Sequence, residues 1–565
     1  MKNRYNKIVA FVAILGLASC NDLFEESDIK KNPNAPDESQ LTITPLTTGT
    51  LVGLGHLHED TDNRIAFMWG GQLAGQSRQH AGFQNYTVAA STFAWNNYYN
   101  VLKNARLINK KAAVENNKLA IGVSQVIESM VMLKIASLYG AAPYSEALDD
   151  EKFPTPKYDS QVSLYNTLIA LTNSAYDNLT SGVGSITGDF VYDGDEEKWA
   201  AAAKTLQARM YLHIKNYASA IASANLGISS SADDMLMKHG TSQAVDLNLN
   251  FDFFDIARPG DTSFDPPAYL PVFMCKNINT GISVTDVAVR NAKTDETGIY
   301  FHYFAYGAES AGGLDPNTAD GMFVANAPHP FLTYYENQLI LAEANARLAS
   351  PNITAAIEAL NEVRDGLSSG YVNGLSTGYT EIEKSGELTA TIGSLAVIGN
   401  GTAFKTELQP GSVLLNGDGD VIGTVAAIAD DEHLTLSSVS LVDVDGEEFS
   451  ANGLVYLPYV TADFLPGGVA NPLTGPNSGR NQQQALLYEI ASQKFVILLA
   501  QYEVFNELRR LQAASPSISL GVPINNGTRL PARFVYPQNE INTNPNVPKI
   551  NGSVADQFVK LEIFE

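Results

Sequence analysis

Apolar side chains recur at helical spacing along much of this chain, and each such stripe needs a packed partner. The pattern predicts helices over about residues 95–113, 123–138, 164–179 and 198–217; in the last, Trp199, Leu206, Met210 and Ile214 share one face. The second stops ahead of Gly140 and Pro143, as a helix end should. Farther on, residues 331–349 and 354–366 flank a Ser-Pro-Asn break, a spacing that suits a TPR-like hairpin. Residues 484–511 read as the longest helix, with Leu487, Ile490, Ile497, Val504, Leu508 and Leu511 in one stripe. Stacked helical hairpins are the natural way to bury these faces.

One segment breaks the period. Between residues 386 and 456 short Val, Ile, Leu and Thr runs alternate with Gly-Asp turns, which predicts a small inserted all-β module, a barrel or a sandwich. About seventy residues of structureless loop would be improbable inside a compact domain. The organisation expected is therefore residues 1–20 as a leader, 21–45 as a tether, 46–385 and 457–565 as two parts of a helical domain, and 386–456 as the insert.

The leader, MKNRYNKIVAFVAILGLASC, joins Lys2, Arg4 and Lys7 to an apolar run and a small-residue stop. That run is about half of the ~20 residues a membrane-spanning helix needs. Leu17-Ala18-Ser19-Cys20 fits the lipobox at which Cys20 is diacylated after cleavage, and Pro33, Pro36 and Pro45 then read as an extended tether. The one further cysteine, Cys275, has no partner once Cys20 carries lipid, so the fold must stand on its core.

Net charge is −25, and it becomes −28 once the leader, with three basic residues and no acidic ones, is removed. A surface that acidic repels phosphate backbones, which excludes nucleic acid as a partner. Candidate catalytic motifs fail on context. Gly366-Leu367-Ser368-Ser369-Gly370 and Gly374-Leu375-Ser376-Thr377-Gly378 both satisfy G-x-S-x-G, yet they follow a helix instead of a strand. His56, His58, Glu59 and Asp60 lack metal-site spacing and read as a solvated loop or helix end. Asn416, Asp418 and Asp420 lack the glycine and glutamate of a Ca²⁺ loop and fit a hairpin turn better. Carboxylates are numerous enough to supply a glycosidase pair, but a mainly helical architecture argues against that class. A scaffold or adhesin role is favoured only by the insert and the acidic surface.

Several segments, in order, resemble the SusD/RagB family of outer-membrane lipoproteins: Cys20-Asn21-Asp22 and Asn32-Pro33-Asn34-Ala35-Pro36, then Tyr139-Gly140 with Pro143-Tyr144-Ser145. They continue with Leu360-Asn361-Glu362-Val363-Arg364, Leu487-Tyr488-Glu489, Glu507-Leu508-Arg509-Arg510 and Leu530-Pro531 through Arg533-Phe534 to Tyr536-Pro537. The insert and Phe495, where relatives often carry Trp, depart from the pattern. The resemblance implies a mainly α fold of TPR-like stacked helical hairpins with long irregular loops. It also implies a non-enzymatic lipoprotein on the outer membrane, lidding a SusC-like TonB-dependent transporter and capturing oligosaccharides, or peptides as in RagB-type relatives. No cofactor is implied, although some members hold structural Ca²⁺.

For capture, residues 67–86 join Trp69, Phe83 and Tyr86 to Gln72, Arg78 and His80, a mixture that can stack on sugar rings and bind hydroxyls. Trp69 also suits a core position. A second expected stretch is 300–306, with Tyr300 and His302 on one face of a strand. Trp95, Tyr98, Tyr99 and Leu102 have the spacing of core residues, and Arg509-Arg510 beside Glu507 suggests structural ion pairs.

Overall fold

The apolar stripes find one another in chain order. The computed structural model describes residues 40–243, 245–274, 289–306, 313–379, 381–475, 478–550, 553–554 and 557–565; Cys20 and Cys275 lie outside them. Its principal helices begin with α1 Ile43–His58, α2 Thr61–Trp69, α3 Arg78–Gln84, α4 Asn96–Val114, α5 Lys118–Leu138, α6 Gln161–Leu179, α7 Glu196–His213 and α8 Tyr217–Ala224. Then follow α9 Thr297–Tyr303, α10 Tyr334–Ala346, α11 Ile353–Ser368, α12 Phe404–Glu407, α13 Gln482–Ile497 and α14 Glu503–Ala513. Each of α4 to α7 packs on the next, α8 meets α10, and α10 packs against both α11 and α13. Side chains cap the starts where the chain supplies them: Asn117 accepts from Ala120, Ser160 from Ser163, Asp195 from Lys198 and Asn352 from Ala355.

Helix α5 is long and apolar enough to cross a membrane, but it is sheathed on all sides by the protein. Trp95, Tyr98 and Leu102 fill the core as their spacing predicts. The helix expected over 484–511 is two. Ala500 takes φ +62°, a left-handed conformation that ends α13, and its carbonyl accepts from Asn63 Nδ2 at 2.6 Å. The break lets α14 turn onto α2.

Two segments of the family resemblance, almost four hundred residues apart, form one latch. Where α5 ends, Phe534 N–H donates to Leu138 O at 2.8 Å, the Arg533 guanidinium to Tyr139 O, and Tyr536 Oη to Ala141 O at 3.1 Å. Gly140 sits at φ +95°, and a Cβ there would meet Leu561 at 2.8 Å, so this approach requires glycine. Below the turn, Asp159 accepts from the N–H groups of Tyr144 and Ser145. These motif residues fasten the fold.

The insert closes into a six-stranded barrel: β1 Glu381–Ala390, β2 Ala396–Asn400, β3 Val413–Asn416, β4 Val421–Ile428, β5 His433–Leu436 and β6 Val444–Asn452, in spatial order β1-β2-β5-β4-β3-β6 with β6 returning to β1. Register shifts between Glu383 and Glu387, and again after Leu388, bend β1 so that the sheet can close. Asn416 ties the β3–β4 hairpin by accepting from Asp418 and Asp420 N–H. Leu388, Phe404, Leu414, Ile422 and Phe449 belong to a core separate from that of the helices. The first strand starts ahead of the expected position 386. Val455–Tyr456 pairs not with the barrel but with Thr294–Asp295 of the helical body.

Asp234 is buried where α10 begins, accepting from Tyr334 N–H at 2.7 Å and Tyr371 Oη at 3.1 Å. Burial pushes its carboxyl up to about 7. A raised acid stabilises the fold while protonated and loses that contribution as pH climbs from about 4 through 7. Asp234→Asn, which mimics the protonated group, should therefore gain on the wild type across that window by up to about 4 kcal/mol. Urea titrations of both proteins at pH 4.5 and pH 8 test this; an unchanged gap refutes it.

Candidate functional site

The residues expected to bind ligand at 67–86 are mostly interior, because that stretch folds as two short helices whose rings turn inward. Trp69 is buried and its indole N–H donates to Phe83 O at 2.9 Å. Gln72 donates to Phe495 O at 2.7 Å, and Tyr86 Oη accepts from Asn525 N–H at 2.9 Å. Phe83 and His80 are buried edge to face, and burial lowers the His80 ring below its ordinary value despite Asp261 at 3.2 Å. Of these six side chains only Arg78 is exposed, leaning on Asp261 at 3.5 Å, although Gln76, Gln79 and Asn85 of the same stretch also reach solvent. These side chains are framework: a buried ring whose polar atom is already bonded offers a sugar nothing to stack on.

The second expected stretch is helix α9 followed by a short strand, not one strand. The helical turn buries both Tyr300 and His302, and burial pushes the His302 ring down to about 4, so it is neutral. It is the intervening Phe301 that faces outward. Its ring lies 6.0 Å from that of Tyr379, tilted by 37°.

This pair floors an open cleft of about 570 Å³ between the helical body and the barrel. That volume falls within the range of small-molecule sites, about 300–1,000 Å³. Tyr379 is held by its hydroxyl, which donates to Asp320 at 2.6 Å and accepts from Asn317 Nδ2 at 3.2 Å. The barrel supplies the opposite wall: Glu381 and Glu383 on β1 are exposed, and Ser385 binds Glu407 through both its N–H and its hydroxyl. Lys384 also lines it; burial lowers its ammonium from the ordinary value although Asp295 and Glu407 lie near, and among the described residues it forms no ion pair. Rings for stacking, carboxylates for accepting hydroxyl protons and an ammonium donor thus converge on one opening. Sequence reasoning passed over Tyr379, Glu381, Glu383 and Lys384; the one available signal was a tyrosine between a glycine turn and the first strand of the insert.

Other polar clusters are internal. His213 Nε2 lies 2.6 Å from Glu503, which it and Arg209 hold down to about 2 against the upward push of burial, while Tyr165 occupies Nδ1 and Lys494 and Arg510 neutralise Glu507. That geometry is an ion-pair network whose lone pairs are engaged. His58 and Glu59, expected in a solvated segment, are buried instead, with Glu59 3.0 Å from His239 Nε2. Ser368 and Ser369 of the first G-x-S-x-G match bond back to carbonyls of the α11 end.

Comparison with known proteins agrees with this architecture. Residues 33–362 match the SusD-like family described as starch-binding associating with outer membrane, and the chain belongs to that family. Among solved structures it is similar to a SusD/RagB family protein from Bacteroides thetaiotaomicron, with TM-score 0.56, 17% identity, and 90% of this chain and 95% of that one covered. A SusD homologue from Bacteroides fragilis gives TM-score 0.56 at 15% identity over 93% of this chain and all of that one. A chitin-binding SusD homologue from Flavobacterium johnsoniae gives 0.52 at 14%, over 92% and 98%. No curated protein matches. At these identities the structures establish the fold.

Proposed function

We propose that this chain is a lipid-anchored outer-membrane protein that captures an oligosaccharide in the cleft between body and barrel and delivers it to a SusC-like TonB-dependent transporter, over which it acts as a lid. The observation that carries the reading is the Phe301–Tyr379 ring pair facing the free carboxylates of Glu381 and Glu383, in a member of a glycan-binding family. A hexose ring presents one apolar face for the aromatics and an equatorial rim of hydroxyls for the carboxylates and Lys384. Cys20 carries the anchor in this reading, capture needs no cofactor, and no bond of the ligand is broken.

The test is calorimetric titration with α-linked starch fragments, with chitin and other β-linked oligosaccharides and with peptides, followed by product analysis. Chitin fragments come first, since a relative of the same fold is chitin-binding. Phe301→Ala and Tyr379→Ala should each weaken the bound glycan at least tenfold, about 1.4 kcal/mol, while leaving the melting temperature within a few degrees. Wild-type affinity in both variants would move the site elsewhere. Retention of peptides alone would change the nutrient class, and turnover lost in Glu383→Gln would make the protein an enzyme.

A further inference from the structure

A second cavity, of about 400 Å³, opens between α14 and the C-terminal segment. Phe558 lines its mouth, the buried rings of Trp69, Phe505 and Phe564 stand behind its wall, and Leu508, Val522 and Leu530 extend the apolar surface. Its charged residues are Arg509, Arg529 and Lys560; no aspartate or glutamate lines it, in a chain whose acidic residues number 61 against 36 lysines and arginines. Among the described residues none of the three forms an ion pair. Arg509, expected to pair with a carboxylate, spends its donors on the carbonyls of Ser137, Phe505 and Ala532 and on Asn506, and burial lowers its guanidinium to about 9. Arg529 and Lys560 are exposed at the mouth, Arg529 lying 5.4 Å over the Phe558 ring.

We propose that this cavity is a binding site, separate from the glycan cleft, for a small organic anion with an aromatic or alkyl body. Its apolar walls take the body, and Arg529 and Lys560 take the carboxylate or sulfonate at the mouth. The cations at the mouth discriminate by charge: a neutral isostere gains the same burial against the apolar walls but forgoes the charge-assisted hydrogen bonds to Arg529 and Lys560. On an otherwise acidic protein an anion gains nothing from the general field, so selectivity for it must come from these local groups.

The experiment compares two fluorescent probes of like shape on the full mature chain: the anion anilinonaphthalene sulfonate and the neutral phenylnaphthylamine. The expected result is one anion per chain, bound at least tenfold more tightly than the neutral probe, displaced by benzoate or decanoate and quenching tryptophan emission. Of the three tryptophans only Trp69 borders the cavity, so its emission is the one expected to fall most when the anion binds. Arg529→Ala with Lys560→Ala, both at exposed positions, should weaken the anion at least tenfold and leave the neutral probe unchanged. Equal affinity of the two probes, many anions per chain, or an anion affinity untouched by the double substitution would each overturn the proposal.

Discussion

Replacing Arg510 with methionine is expected to cost about 3–5 kcal/mol, one of the largest losses any single change should produce here. Arg510 is fully buried and bridges Glu343 at 2.6 Å and Glu507 at 2.5 Å, while Lys494 binds the same two carboxylates at 2.8 and 3.0 Å and Arg347 adds a contact to Glu343 at 2.6 Å. Methionine fills much of the volume, so the cost comes from charge: two interior carboxylates would be left with two cations, one of them an ammonium shared between both. Burial alone would push Glu343 up, but Arg510, Lys494 and Arg347 together hold it well below the usual carboxylate range. A depressed acid contributes stability above its unfolded value of 4.5 and loses it as pH falls through the folded one. The difference between wild type and Arg510→Met should therefore be full at pH 7 and shrink below about pH 4.5. Denaturant midpoints at pH 7 and pH 3.5 check it, and a loss under 1 kcal/mol at pH 7 would mean the network is dispensable.

Periodicity carried much of the helical part of the fold because α4, α6 and α11 are two-faced enough to show their stripes, while α5, buried all round, showed itself by a long apolar run that stops ahead of Gly140. It failed at 484–511 for a definite reason. Residues on both sides of the break are apolar, so the stripe runs on unbroken, and only the contact of Asn63 with Ala500, distant in sequence, marks the turn. Most of the side chains expected at the ligand turn inward, and the sequence hid this for a related reason. A stretch with tryptophan, glutamines, histidine and tyrosine has the composition of a sugar site, but composition does not say which way a side chain turns. Gln72 Nε2 and Tyr86 Oη are bonded to other segments, and the buried His80 ring leans on Asp261. The cleft stayed hidden because its two walls come from α9 and from a strand that only the barrel's closure brings alongside. Motifs shared with the family were legible as resemblance, yet Arg533, Phe534 and Tyr536 turn out to fasten the end of α5, so their pattern reported on the fold and not on the ligand.

Excising the barrel should leave the helical body folded, provided the cut respects where the barrel ends. Glu381 and Asn452 are cross-strand partners, so residues 381 and 453 stand close enough for a bridge of two glycines. The barrel's core is its own, and removing residues 382–452 takes no apolar side chain from the helical core. Carrying the cut through Tyr456 is a different operation. It removes the pairing of Val455–Tyr456 with Thr294–Asp295, the Gly453 carbonyl that accepts from Gly298 N–H, and the buried Tyr456 hydroxyl that donates to Glu296 at 3.0 Å. It also drags on Leu457, whose carbonyl holds the buried Arg364. The longer deletion should lose at least about 3–5 kcal/mol from the ring alone and is expected to be insoluble. The shorter one should keep the helical circular-dichroism signal and a cooperative melt near that of the parent. Because Glu383, Lys384 and Glu407 leave with the barrel, this folded deletion should also lose glycan affinity by more than either aromatic substitution alone. A short deletion that unfolds would make the barrel part of the core; one that folds and still binds glycan would take the site away from the cleft.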